Sequence, residues 1–245
     1  MALDPLHQFE VHEIGSLQLF GHEIVKTNQS LWMVAAIATV ILIFVLGARK
    51  KAIIPGRLQA FVEITYDFVA GLVKGTAGKE GMAFFPLIMT LFLFIASLNL
   101  AGMIPGSYTS TSQIFITGQL ALMVFALVWV VGLYKHGLHF FSLFYPAGTP
   151  VYLAPLIIPL ELISFFARPL TLAVRLAANM IAGHVLMKVF ATFAVMLAGI
   201  FLAASAVPTA FLIALTGLEM FIAVLQAYIF TVLTCVYLND ALHLH

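Results

Sequence analysis

Charged residues are scarce in this sequence, and their scarcity excludes most soluble folds. Only 9% of the 245 residues are Asp, Glu, Lys or Arg, against roughly 25% in an ordinary soluble domain. The 11 basic and 10 acidic residues nearly cancel, so the chain lacks the basic footprint of a nucleic-acid-binding protein. Because 63% of the residues are hydrophobic, the composition indicates an integral membrane protein that lies in a lipid bilayer.

Cysteine and several functional motifs are also missing or rare. The single cysteine, Cys235, excludes a disulfide framework, an iron–sulfur cluster and a thiolate zinc site, which all need several thiols. The chain has no GxxxxGK[ST] phosphate-binding loop. Its first 30 residues lack the basic start and short apolar core of a signal peptide. We therefore expect a mature N-terminus, one membrane domain, and neither a metal nor a cofactor.

Long uncharged stretches divide the chain into membrane crossings. One crossing needs about 20 apolar residues, and the uncharged run from 81 to 134 alone has 54 residues. We predict an all-α integral membrane protein with five transmembrane crossings and one interfacial amphipathic helix. Its segments are an outer N-terminal arm (1–30), a first span (31–48), the interfacial helix (57–80), a helical hairpin (82–134) and a long tilted hairpin (151–240).

The final hairpin is predicted to be steeply tilted, since its helices are longer than a bilayer is thick. Residues 156–203 and 208–237 would extend on the order of 70 and 45 Å as continuous helices. The hydrocarbon core is only about 30 Å thick. Both helices must therefore slant strongly or run partly along the membrane plane.

The distribution of Lys and Arg predicts the orientation of the chain. Six of these residues lie between the first two spans, whereas the N-terminal arm has only Lys26. Short loops rich in Lys and Arg are typically cytoplasmic. Counting five crossings then places the N-terminus outside, the turn near Ala204 outside, and the C-terminus in the cytoplasm.

Ionisable residues inside the last two helices need a physical reason, because each costs about 2.5–3.5 kcal/mol near the bilayer centre on insertion scales. At about 100° per residue, several polar residues of the first helix share one stripe about 80° wide. His184 lies on the other side of that helix and nearer the outer surface. The stripe contains Glu161, Ser164, Arg168, Thr171, Arg175 and Asn179.

The last helix carries a second polar face, formed by Glu219, Gln226 and Tyr237. Tilting of the hairpin allows Glu219 to approach His184 and Gln226 to approach Arg175. This arrangement predicts one aqueous path from each side of the membrane with a fixed cation between them.

Simpler structural interpretations of these residues remain open. Arg175 could be satisfied by backbone carbonyls or an acid, and His184 with Glu219 could be a buried structural pair. Glu161 and Arg168 could form an interfacial salt bridge. The other polar residues have similar alternatives: Asn179, Gln226 and Tyr237 as interhelical hydrogen-bonding groups, Lys188 as a snorkelling side chain, and Asn99 of the second span as a further candidate for the outer path.

Two long motifs give the chain a family resemblance. RPLTLAVRLAANMIAGH (168–184) and GLEMFIAVLQAYIFTVLTCVYLNDA (217–241), together with SLNLAGMIPG (97–106), resemble subunit a of bacterial, particularly alphaproteobacterial, F-type ATP synthases. The resemblance implies that Arg175 is the essential arginine facing a ring of c subunits. It also implies that Asn179 and Gln226 accompany it, and that His184 and Glu219 line the outer half-channel.

The predicted function is that of a proton-translocating stator, with no catalytic chemistry of its own. We expect the inner path near Glu161 and Ser164 and, as partners, the c-subunit ring, b-type peripheral stalk subunits and the rest of the synthase in the bacterial inner membrane. The alternative is an ion-coupled secondary transporter or channel, for which inverted repeats would be expected. A haem or quinone protein would need His ligands on facing helices, and only His184 lies deep in a span.

Overall fold

The computed structural model describes residues 10–19, 22–49, 52–104, 106–145 and 151–243. Within these ranges two antiparallel strands precede six α-helices. The strands are β1 (Glu13–Leu19) and β2 (His22–Thr27). The helices are α1 (Asn28–Arg49), α2 (Arg57–Gly81), α3 (Phe85–Gly102), α4 (Ile114–His136), α5 (Ala154–Ile200) and α6 (Ala206–Leu242).

Five stretches of the described residues are long and apolar enough to cross a membrane. Four of them contain α1, α4, α5 and α6, and the fifth contains both α2 and α3. A 3-10 turn at Met82–Phe84 connects those two helices. The prediction of an all-α integral membrane protein is confirmed. The two long final helices also match expectation, because α5 has 47 residues despite the internal Pro159 and Pro169, and α6 has 37.

The N-terminal segment contains a β-hairpin that was not expected from the sequence. Its register pairs Ser16 with Val25 and Leu17 with Ile24. The hairpin is joined to the beginning of α1 by Asn28, whose Oδ1 accepts a hydrogen bond from the His12 backbone amide at 3.2 Å. The Asn28 backbone amide donates in return to the His12 carbonyl at 3.1 Å.

The described residues fall into two compact units. The first unit takes in residues 1–42, 94–113 and 176–227, and the second takes in 43–93, 114–175 and 228–245. The division runs through the long helices, so each unit contains a part of α5 and a part of α6. The side chains that pack around α5 and α6 differ between the two units.

A stacked ring pair and a sulfur contact join α5 to α6 in the first unit. The rings of Phe190 and Phe211 stack with centroids 5.6 Å apart. The Thr216 hydroxyl contacts the Met187 sulfur at 3.7 Å. Ala223 of α6 is also fully buried in this unit, and small residues are common at helix contacts in membrane proteins.

The second unit has an aromatic core. The Trp129 ring makes edge contacts with Phe140 and Phe165, at centroid distances of 5.6 and 5.8 Å. Gly132 makes room for this cluster, because a Cβ at that position would lie 2.2 Å from the Phe140 ring. Edge-to-face pairs of this kind add about 0.5–1.5 kcal/mol each beyond their buried area.

The C-terminal ends of α2, α4 and α6 meet in the second unit. Lys135 at the end of α4 forms an ion pair with Glu80 at the end of α2. His136 contacts the Leu242 carbonyl of α6 at 3.2 Å through Nε2. These three helix ends therefore lie on the same side of the unit.

Candidate functional site

His184 of α5 and Glu219 of α6 lie side by side in the first unit. The distance from His184 Nε2 to Glu219 Oε1 is 3.8 Å. Both residues are buried, with 8% and 5% of their surfaces exposed. The structure thus brings together the two titratable groups that the sequence suggested as neighbours.

Gly183 makes this approach possible. A Cβ at residue 183 would lie 2.3 Å from Glu219 Oε1 and 2.4 Å from its carboxyl carbon. No side chain could occupy that position without moving the carboxylate, since both distances are far inside van der Waals contact. The absence of a side chain at Gly183 of α5 therefore creates the space that Glu219 fills.

Thr109 is a third member of this group and was not among the residues expected from the sequence. It follows α3 in a buried turn that continues into a 3-10 helix at Ser110–Ser112. Its Oγ1 lies 3.1 Å from His184 Nε2 and 3.5 Å from the Gly102 carbonyl. The available signal was the dense run of hydroxyl residues at 109–112, within a long uncharged segment.

Asn99 reaches the same unit from α3. Its Nδ2 donates a 3.0 Å hydrogen bond to the Ala223 carbonyl, and the residue is fully buried. Ala223 lies on α6 one turn after Glu219 and one turn before Gln226. Asn99 is therefore held beside the polar segment of α6.

Several buried polar atoms in the first unit have no hydrogen-bond partner within the described protein. An unsatisfied buried group costs about 1–3 kcal/mol, so such atoms normally bind water or belong to a functional site. Their concentration indicates a region suited to holding water or passing protons. They are Asn99 Oδ1, Ser107 Oγ, Ser110 Oγ, Thr111 Oγ1, Glu219 Oε1 and Gln226 Nε2.

The polar stripe of α5 is arranged differently. Ser164, Thr171 and Arg175 are exposed, whereas Glu161 and Asn179 are partly buried. Arg175 makes no hydrogen bond or ion pair to any residue that the structure describes. The stripe therefore presents an uncompensated cation on the surface of an apolar helix.

Arg168 does not pair with Glu161, contrary to the salt bridge considered from the sequence. Its Nη1 lies 3.0 Å from Asp240 Oδ2 of α6. The guanidinium also stacks over Tyr237, 5.1 Å from the ring centroid. A cation–π contact and an ion pair thus connect α5 to the end of α6 in the second unit.

Metal binding has no support in the described ranges. No three His, Cys, Asp or Glu side chains among them are placed to hold one ion. Lys188, partly buried, lies one helical turn beyond His184.

The ATP synthase A chain family model matches residues 30–239 of the sequence. The chain belongs to this family. It is 48% identical to ATP synthase subunit a of Rhodopseudomonas palustris (strain BisB5) over 247 residues, covering 99% of both chains. It is 50% identical to that of Hyphomonas neptunium over 246 residues, covering 99% of this chain and 97% of the relative. The resemblance carried by the two long motifs is confirmed.

A relative from Rhizobium leguminosarum bv. trifolii, also an ATP synthase subunit a, is 46% identical and covers 99% of this chain. Membership in the A chain family and the five apolar stretches together make the protein a multi-pass membrane component of a bacterial ATP synthase.

Proposed function

We propose that the protein is the proton-translocating stator of a rotary F-type ATP synthase. In this proposal two offset half-channels lead to carboxylates on a ring of c subunits, and Arg175 separates them. The observation that carries it is the exposure of Arg175 on α5 without a partner among the described residues.

Intramembrane charges are normally paired, because an unpaired one is costly in hydrocarbon. Between Arg175 and Lys188 lie eleven uncharged residues and His184, and six uncharged residues separate Arg175 from Arg168. A carboxylate from another chain is the partner that fits its charge. A guanidinium beside such a carboxylate favours the ionised form and repels a proton that would cross directly between the half-channels.

The outer half-channel is assigned to the first unit. His184 and Glu219 are its titratable groups, and Asn99 lines it from α3. Two observations support this assignment: the pair is buried, and Glu219 Oε1 has no hydrogen-bond partner among the described residues. We assign Gln226 and Asn179 to the region where this path meets the ring, as the family resemblance implies.

The inner half-channel is assigned to the polar stripe of α5. A proton released from the ring would pass Ser164 and Glu161 towards the cytoplasm. Arg168 and Tyr237 stand at this end of the path, where they fasten α5 to α6. The membrane potential drives each charge crossing with about 2.3 kcal/mol per 100 mV.

We further propose that the N-terminus lies outside and the C-terminus in the cytoplasm of a bacterial cell, with the protein in the inner membrane. The basic segment at 49–57 supports this orientation. So does the meeting of the α2, α4 and α6 ends through Lys135, Glu80 and His136, since these ends must face the same compartment. The proposed partners are the c ring and b-type peripheral stalk subunits.

The proposal is tested by replacing Arg175 in the assembled synthase. Arg175→Ala should abolish ATP synthesis and ATP-driven proton pumping, and the complex should leak protons. Arg175→Lys should not restore full activity, because a flexible point charge differs from a planar guanidinium. Val174 is exposed and next to Arg175. The control variant Val174→Ala leaves the Arg175 charge in place and should retain ATP synthesis. ATP synthesis by Arg175→Ala at the wild-type rate would show that the proposal is wrong.

A further inference from the structure

We propose that Thr109 is a positioning residue of the outer proton path: its hydroxyl holds the His184 imidazole in place whether or not Nε2 carries a proton. The inference rests on the proposed function, in which His184 passes protons. It adds to the proposed path a residue that lies outside α5 and α6, on the turn that follows α3.

The hydroxyl of Thr109 has two neighbours on different sides. Its Oγ1 lies 3.1 Å from His184 Nε2 and 3.5 Å from the Gly102 carbonyl oxygen. A hydroxyl has one hydrogen to donate and lone pairs that accept. It can therefore donate to only one of these neighbours at a time.

This choice matches the two protonation states of the imidazole. When Nε2 carries a proton, it donates to Thr109 Oγ1, and the Thr109 hydroxyl donates to the Gly102 carbonyl. When Nε2 has lost its proton, the hydroxyl rotates and donates to Nε2. The ring keeps a hydrogen bond in both states, so it need not turn away as the proton comes and goes.

The same nitrogen faces the carboxylate of Glu219. The separation of 3.8 Å between Nε2 and Oε1 exceeds the range of a direct hydrogen bond but can be closed by a small movement or a bridging water. Oε1 has no hydrogen-bond partner among the described residues. Thr109 holds the ring so that Nε2 stays near this oxygen. In proton transfer, the Nε2 proton leaves its hydrogen bond to Thr109 for the carboxylate or the bridging water, and the Thr109 hydroxyl then donates to Nε2.

Thr109 is itself firmly placed. It is 4% exposed, and its carbonyl accepts a 2.6 Å hydrogen bond from the Ser112 hydroxyl. Its close contact with α3 depends on Gly102, where a Cβ would lie 2.8 Å from Thr109 Cγ2 and 3.0 Å from Oγ1. A methyl group at residue 102 would therefore displace the hydroxyl that faces His184.

The titratable groups around His184 in the described structure are few. Glu219 faces it from α6, and Lys188 lies one turn along on its own helix α5. On the turn, Tyr108 is the titratable neighbour of Thr109, and α3 contributes none. Burial raises the pKa of the Tyr108 phenol, which accepts a 2.6 Å hydrogen bond from Gln113, so Tyr108 stays neutral.

Thr109→Val and Thr109→Ser form a matched pair, since valine preserves the shape and serine preserves the hydroxyl. Both are made in the whole synthase and reconstituted in liposomes with an imposed pH difference. We expect Thr109→Val to lower the ATP synthesis rate about three- to tenfold, the range for one lost hydrogen bond. Thr109→Ser should stay within about twofold of wild type by the same reasoning.

The pH profile separates positioning from a merely structural role. In Thr109→Val the protonated His184 imidazole loses the hydroxyl that accepts its Nε2–H. Hydrogen bonds of charged groups are stronger than those of neutral ones, so the protonated form is destabilised more than the neutral form. Half-maximal synthesis should therefore need a lower pH in the proton-supplying compartment. Rates are compared per amount of assembled complex. If Thr109→Val prevents assembly, Gly102→Ala is tested in its place, since its added methyl group displaces the Thr109 hydroxyl. Gly102→Ala should also lower the pH needed for half-maximal synthesis.

An unchanged rate and pH profile in Thr109→Val would overturn the inference. Equal impairment of Thr109→Val and Thr109→Ser would also overturn it. Where Gly102→Ala is used in place of Thr109→Val, an unshifted pH profile in Gly102→Ala would do the same. These results leave the proposed function standing as long as Arg175→Ala is inactive. Conversely, an active Arg175→Ala would overturn the proposed function itself, whatever the Thr109 variants do.

Discussion

The polar residues of the two units are placed in opposite ways. In the first unit His184 and Glu219 are at least nine-tenths buried and lie beside each other, with Thr109 against the imidazole. In the second unit Ser164 and Arg175 are exposed on the surface of α5. The first arrangement is assembled from residues of this chain, whereas Arg175 in the second has no ion-pair partner among the described residues.

This difference predicts which kinds of substitution each region tolerates. A buried polar group depends on the volume around it and on its immediate partner, because unpaired polar atoms are costly there. An exposed polar stripe depends on charge and on access to water. Changes of volume should therefore harm the first unit most, and changes of accessibility should be visible in the second.

The sharpest test of the buried arrangement is exchange of its two members. His184→Glu or Glu219→His alone should reduce ATP-driven proton pumping on the order of a hundredfold, because each replaces the buried acid–imidazole pair by two groups of the same kind, neither of which has an opposite partner. The double exchange keeps one acid and one imidazole in the same space and should recover more activity than either single change. A double-mutant cycle measures the coupling. Simple additivity would mean that the residues do not act as a pair.

Gly183 provides a test based on volume alone. Gly183→Ala adds one methyl group against the Glu219 carboxylate and should reduce proton pumping about tenfold, since the carboxylate must move and misplacement of reacting groups is costly. Gly217→Ala is the matched control, because a Cβ there has nothing within 4 Å. Equal activity of the two variants would show that the position of Glu219 is not critical.

The exposed stripe can be tested by cysteine accessibility, in a background with the buried Cys235 replaced by alanine. Cysteines at Ser164 and Thr171 should react with a membrane-impermeant thiol reagent added from the cytoplasmic side. Leu170 is 65% exposed but lies away from the stripe, where lipid would exclude the reagent. A cysteine at Leu170 should stay unlabelled, and equal labelling of all three positions would argue against a directed inner path.

The smallest effect is expected at the ion pair between Arg168 and Asp240. The two side chains are 26% and 32% exposed, and partly exposed pairs contribute only about 0–1 kcal/mol. Arg168→Ala or Asp240→Asn should thus lower ATP synthesis by less than about fivefold. Thermal stability of the detergent-solubilised complex gives an independent measure. A loss as severe as that of Arg175→Ala would mean that Arg168 takes part in proton transfer and does more than fasten α5 to α6.

Much of the fold was predictable because a bilayer imposes strong constraints on sequence. Uncharged runs predicted five membrane crossings, and five apolar stretches long enough to cross are present in the described residues, since a crossing needs both length and apolarity. The β-hairpin before α1 was missed. It lies outside the membrane pattern, and its strands depend on pairing with each other rather than on a long periodic run.

The site was predictable only in part. Helical periodicity placed His184 and Glu219 on faces that could meet, and the contact is present. Periodicity carries no information about contacts between distant segments, which explains two errors. Thr109 is 75 residues from His184, and Asp240 is 72 residues from Arg168. Each contact depends on the packing of one element against another, which a single sequence does not record.

The exposed Arg175 also bears on how the protein is made. A newly inserted chain that has not yet met its partner carries an arginine whose burial in lipid costs about 2.5–3.5 kcal/mol on insertion scales. Any chain that supplies a carboxylate stabilises the inserted state by removing this cost. We therefore expect the unassembled subunit to be short-lived in the cell and the assembled one to persist, so that biogenesis couples the survival of this chain to the presence of its partner.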